Sequence, residues 1–175
     1  HKSRMVGSFG DISCFSFDGV KNITSGEGGC IVTEDEDALT RIRDARLLGV
    51  IGDSSKRKAN QRSWDFDVEY QGWRFHMSDI FASIGMVQLA KLNVNSKKRK
   101  TLFDRYVVNL KNNSKVTLFD WSTKNGMVPH IFVIRIPGLK DRETLRHELE
   151  KYGVATGIHY KPNHLLSFYK ESYTL

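Results

Sequence analysis

Hydrophobic and polar positions along the chain alternate between two periods. Phe9–Phe17 reads as an extended strand: Ile12, Cys14 and Ser16 share one face, and Ser13, Phe15 and Phe17 share the other. Gly29–Thr33 predicts a second, short strand, so the two form a broad hairpin or a pair of adjacent strands. After Thr33 the period becomes helical. Ala38, Leu39, Ile42, Ala45 and Leu48 form one stripe, Thr33 and Glu36 form a capping box, and Gly49 stands as the stop. A long helix is predicted from a Ser78-Asp79 cap to about residue 111. Its first turns set Ala82, Ser83 and Gly85 beside Ile80, Ile84 and Val87, small residues that permit close packing; from Lys91 onward it is charged and amphipathic.

Further along, His130–Ile136 is a continuous apolar run that predicts a strand. Asp141–Tyr152 predicts a helix with Leu145, Leu149 and Tyr152 inward and Gly153 as its stop, and Val154–Tyr160 predicts another strand. This strand–helix–strand unit reads as a small α/β domain. With the boundary placed in the long helix near residue 95, the chain divides into residues 1–95 and 96–175. Residues 50–74 are polar and irregular but carry Trp64, Phe66, Tyr70 and Trp73, and a connection this long in a compact domain is more often functional than idle.

Composition narrows the function classes. With 175 residues and 39% hydrophobic positions the chain can bury one good core or two small ones. No apolar run approaches the ~20 residues of a membrane-spanning helix. The opening residues lead straight into a strand pattern and the final ones carry no terminating signal, which reads as a fragment. A formal charge of +7 favours anionic partners in general. The basic clusters Lys56–Lys58 and Lys97–Lys100 are not interleaved with aromatics as a nucleic-acid face would be, so net charge alone is a weak argument for such a partner. Cys14 and Cys30 have no metal-ligand spacing; they read as buried, reduced thiols of a cytoplasmic protein, with no metal site.

The clearest candidate for chemistry is Lys21. It lies between the two predicted strands, flanked by Asp18-Gly19 and by Gly26-Glu27-Gly28-Gly29. Glycines let a backbone turn sharply and approach a ligand closely. A lysine presented on such a firm, partly desolvated loop can serve as an amine nucleophile. As one of 27 lysines and arginines it can equally be an ordinary hairpin residue, and the local sequence leaves both readings open.

The segment Gly7–Thr33, with its Ser16, Lys21 and Gly-Glu-Gly-Gly, resembles the lysine segment of the DegT-type nucleotide-sugar aminotransferases. The likeness continues through Gly72–Gly85, Gln88-Leu89, His130–Arg135 and Thr156–Leu165. Ordered blocks across nearly the whole chain imply the fold of that family: α/β, the C-terminal part of a type I aminotransferase large domain followed by a small α/β domain. They imply pyridoxal 5′-phosphate (PLP) as cofactor, Lys21 as its Schiff-base lysine and proton shuttle, and Ser16 as a hydrogen-bond partner of its phosphate. Where the family commonly places an asparagine that reaches the partner subunit's cofactor phosphate, this chain has Arg74 and His76, cations suited to the same anion. His159, Tyr160 and His164 match a motif that lines the substrate site. Related sugar dehydratases carry histidine in place of the lysine, so Lys21 separates this chain from them.

The resemblance therefore implies a homodimeric, cytoplasmic enzyme that moves an amino group from an amino acid such as glutamate to a nucleotide-linked keto-sugar, as in polysaccharide biosynthesis. The alternative is a non-catalytic DegT-like regulator that binds PLP. The family's aspartate for the pyridine nitrogen, its ring-stacking aromatic and its first phosphate loop precede the lysine segment and are not among these residues, so the 175 residues alone are expected to be inactive.

Overall fold

The computed structural model describes residues 4–52, 59, 66–120 and 126–173. Two compact units result: residues 1–112 with 118–133, and residues 113–117 with 134–175. This division follows a different line from the boundary expected near residue 95. The long helix stays whole in the first unit because its later half carries Phe103, 3% exposed, whose ring meets Phe132 edge-on at 5.0 Å. Tyr106 stacks on the same Phe132 at 4.9 Å.

In the first unit, β1 (Ile12–Ser16) and β2 (Gly29–Thr33) pair antiparallel. Ile12 faces Thr33, Cys14 faces Ile31 and Ser16 faces Gly29. β1 is shorter than the predicted Phe9–Phe17, since pairing exists only opposite the five residues of β2. Two strands cover neither of their own faces, so Ile12, Phe15, Ile31 and Val32 are exposed. Cys14 and Cys30 are free thiols but exposed ones, which corrects the expectation of burial.

Helix α1 (Glu36–Ala45) follows. Its N-cap is Asp35, whose carboxylate accepts from the N–H groups of Asp37 and Ala38, rather than the Thr33 capping box. A carboxylate one residue from the helix is a stronger acceptor and also complements the helix dipole. The helix ends at Arg46 rather than Gly49, and Leu48, at φ 65°, leaves the expected stripe and is exposed. Helix α2 (Asp79–Leu110) starts where the sequence placed it: Ser78 Oγ accepts from the Phe81 N–H at 3.3 Å.

β3 (Thr117–Leu118), at the division between the units, pairs with β4 (Ile134–Arg135), and in the second unit helix α3 (Arg142–Lys151), a 3-10 turn at Asn163–Leu165 and α4 (Ser167–Tyr173) follow. The strand predicted over His130–Ile136 is reduced to two residues, and Val154–Tyr160 is not a strand. An apolar run becomes a strand only against a partner, and β3 is too short to supply more. Tyr152, expected inward, sits at the C-cap and is exposed.

At the start of α3, Asp141 accepts from both the hydroxyl and the N–H of Thr144, at 2.6 and 3.0 Å. These bonds, the hydroxyl's first, hold the Asp141 carboxyl below the ordinary 3.8. A group with a lowered folded value stabilises fully above its unfolded value and loses that contribution as pH falls through the folded one. The helical circular-dichroism signal of the chain is therefore expected to drop on acidification below about pH 4, and to drop less in Asp141→Asn. Equal acid sensitivity of the two proteins would refute the cap's role.

Candidate functional site

Lys21 is half-buried in the connection between β1 and β2, and that connection is tied at every turn. Asp18 Oδ1 accepts from the Val20 N–H, and the Asp18 carbonyl accepts from the Lys21 N–H at 3.0 Å. Thr24 Oγ1 accepts from the Gly26 N–H at 2.9 Å, while the Phe17 carbonyl receives the Ser25 N–H. The Phe17 N–H in turn donates to the Gly28 carbonyl at 2.8 Å. Asn22 reaches outward: its Nδ2 donates to the Pro129 carbonyl, and its Oδ1 lies 3.3 Å from Nδ1 of His130. The amine of Lys21 is thus carried on a backbone with few free bonds.

Ser25 anchors this connection, a weight that no local signal around it announces. It is fully buried, its Oγ donates to the Glu27 carbonyl at 2.6 Å, and its Cβ lies 3.4 Å from where a side chain on Gly85 of α2 would begin. The small residues expected to permit close packing are therefore used, at Gly85, against the lysine connection. Gly28, at φ 129°, packs against Met77, whose Cε occupies the space of a Cβ at 2.6 Å.

That contact brings Met77, which follows Arg74 and His76 in the same segment, to the lysine connection. Arg74 is exposed and bridges Leu47 through its backbone; His76 is half-buried, and its Nδ1 is buried without a hydrogen-bond partner. Ser16, at the end of β1, is exposed; its Oγ accepts from the Asp18 N–H at 3.3 Å. That use of a lone pair leaves the hydroxyl proton available for an acceptor. The remaining candidates lie in the second unit: the rings of His159 and Tyr160 meet edge to face at 4.5 Å, and His164 is in the 3-10 turn, all three exposed. Lys56–Lys58 and Trp64 fall outside the described residues.

Comparison with known proteins is consistent from one end of the chain to the other. An uncharacterized protein of Methanocaldococcus jannaschii, MJ1066, is 32% identical over 99% of this chain and 46% of its own length. The spore coat polysaccharide biosynthesis protein SpsC of Bacillus subtilis is 28% identical, again over 99% of this chain and 46% of its own length. The structure of Spr1654 of Streptococcus pneumoniae, assigned as a sugar aminotransferase, superposes in its PLP-form with a TM-score of 0.84 at 31% identity, covering 98% of this chain and 43% of that one. The chain thus spans just under half the length of these relatives. Its fold is that part of the type I aminotransferase fold.

The same Streptococcus protein is known in a PMP-form, so the cofactor of this fold is pyridoxal phosphate. The residues present fit that group. A primary amine on a rigid loop suits its carbonyl, and the free proton of the Ser16 hydroxyl suits its phosphate. The orphaned, buried Nδ1 of His76 lacks a partner within the described chain and suits an anionic oxygen. The family profile of the DegT/DnrJ/EryC1/StrS aminotransferases matches residues 1–175, and the chain belongs to that family.

Proposed function

We propose that this chain is the lysine-bearing part of a PLP-dependent sugar aminotransferase that takes an amino group from glutamate and delivers it to a nucleotide-linked keto-sugar. The observation that carries this reading is Lys21 on a loop fixed by its own backbone bonds and by Ser25 against α2. In this reading Lys21 Nζ would hold the cofactor through its carbonyl carbon, and, when freed by an incoming amine, would take the proton from the amine-bearing carbon and deliver it to that cofactor carbon. Bound there, the cofactor supplies an electron-poor ring that draws off the electron pair of the broken C–H bond. Ser16 Oγ would hold the anionic end, so that the lysine meets the reacting carbon in one orientation. His159, Tyr160 and His164 would take the sugar substrate, and Arg74 or His76 would reach a second subunit's cofactor phosphate in a homodimer. The net charge of +7 suits a diphosphate-bearing substrate.

The test is reduction of the PLP-treated chain with borohydride, followed by peptide mapping. Label on Lys21 supports the assignment, and label spread evenly over surface lysines overturns it. Because the chain spans less than half of its relatives, glutamate-driven turnover is expected only in the assembled enzyme, and full transaminase activity of the 175 residues alone would contradict this division of the site.

A further inference from the structure

Asp44 is a carboxylate in the last turn of α1, and it is only 7% exposed. Both circumstances are unfavourable: a negative charge near a helix C-terminus opposes the dipole, and a buried charge costs free energy unless hydrogen-bonded. Its partners explain its place. Oδ1 accepts from the Gly52 N–H at 3.1 Å, the Tyr70 hydroxyl lies 3.5 Å from both Oδ2 and the Arg41 carbonyl of the same helix, and the Asp44 backbone carbonyl accepts from the N–H groups of Leu47 and Gly49. Burial, and then the neighbouring Asp44 carboxylate, hold the Tyr70 hydroxyl above its ordinary 10.0.

These partners belong to two stretches that run antiparallel. Residues 45–50 pair with 68–75: Trp73 N–H donates to Ala45 O at 2.7 Å, Leu48 N–H to Trp73 O at 3.0 Å and Phe75 N–H to Arg46 O at 2.9 Å. The second stretch leads directly through Arg74 and His76 to the Ser78 cap of α2.

We propose that Asp44 is a positioning residue: its one buried carboxylate clamps the 46–52 stretch to the 70–76 stretch and so sets the register of Arg74 and His76 in the segment that reaches the lysine connection through Met77. The proposal rests on the cofactor reading above for its purpose, but not for its geometry.

Its test has two arms on the 175-residue chain. In amide hydrogen exchange, Asp44→Leu, which keeps volume but no acceptor, is expected to speed exchange at Trp73 and Phe75 roughly tenfold or more and to leave α2 unchanged. Asp44→Asn, which keeps an acceptor for Gly52, restores most of the protection. Unchanged exchange at Trp73 and Phe75, or equal acceleration in α2, overturns the clamp. In the second arm, the PLP concentration for half-maximal borohydride-fixed label on Lys21 rises in Asp44→Leu and returns toward that of the unsubstituted chain in Asp44→Asn. A clamp that loosens with no change in that concentration overturns the positioning role. No label on Lys21 in the unsubstituted chain would instead refute the cofactor reading, with the exchange arm still deciding the clamp. If Asp44→Leu does not fold, Tyr70→Phe, which removes one partner and keeps the carboxylate, carries the same comparison, with the same pattern at smaller amplitude expected and its absence overturning the proposal.

Discussion

Lys21→Ala is expected to abolish covalent capture of PLP by the chain and to lower transaminase turnover of the assembled enzyme on the order of 10⁴-fold. Two functions fail together. The resting covalent link needs a primary amine at this point of the loop, and no described side chain beside it offers another: the neighbours Asn22, Ile23 and Thr24 carry an amide, a hydrocarbon and a hydroxyl. Proton transfer at the reacting carbon also needs a base that swings free after displacement, which a methyl group cannot be. The loop itself is expected to survive, because its ties run through the Asp18, Thr24 and Ser25 side chains and the backbone rather than through the lysine side chain. Lys21→Arg separates the two explanations, since it keeps a cation but not a nucleophile. Borohydride labelling and turnover are the measurements. Labelling of Lys21→Ala at an unchanged yield, on whatever lysine, would remove Lys21 from the reaction.

The second large effect is expected at Gly72. A Cβ built there would stand 1.9 Å from the Gly49 nitrogen and 2.2 Å from the Leu48 carbonyl carbon, backbone atoms that cannot rotate away. Gly49, at φ 75°, is no freer: its own Cβ would meet the Tyr70 carbonyl oxygen at 2.4 Å. The two glycines interlock where the 46–52 and 70–76 stretches cross. Gly72→Ala must therefore separate those stretches, losing the Trp73 and Phe75 pairing and the approach of Tyr70 to Asp44. We expect a loss of about 3 kcal/mol or more in the first unit, read as a lower urea midpoint. Gly157→Ala, where no heavy atom lies within 4 Å of the new Cβ and φ is not positive, is expected to change stability by less than about 0.5 kcal/mol. Similar midpoints for the two variants would show that the crossing is not rigid.

Local signals that close on themselves were legible in the sequence. The Ser78 cap of α2 needs one hydroxyl and one N–H three residues on, and the Asp141 helix with its Gly153 stop needs no more. The glycine-bounded connection that carries Lys21 was legible because glycine spacing is local as well. Misread elements depended on partners far along the chain: the short β4, the absent strand after Gly153, and the exposed Cys14 and Cys30. Period-2 patterning says that a strand can be buried, not that anything in the same chain covers it.

Ser25 and Asp44 were missed for a related reason. A serine among glycines and an aspartate in a polar helix look solvated. The one available signal, an acidic residue in the last turn of α1 where the dipole disfavours it, points to a tertiary partner without naming it. The sequence by itself determined the start of α2, the glycine-bounded lysine connection and the family, because a serine cap, glycine conformations and residue order are written within a few positions. Tertiary structure alone decided that Ser25 seats the lysine connection on Gly85, that Met77 packs on Gly28, and that Asp44 ties two crossing stretches together. Most of those contacts join residues dozens of positions apart, and only the folded backbone brings their atoms within hydrogen-bonding or van der Waals range.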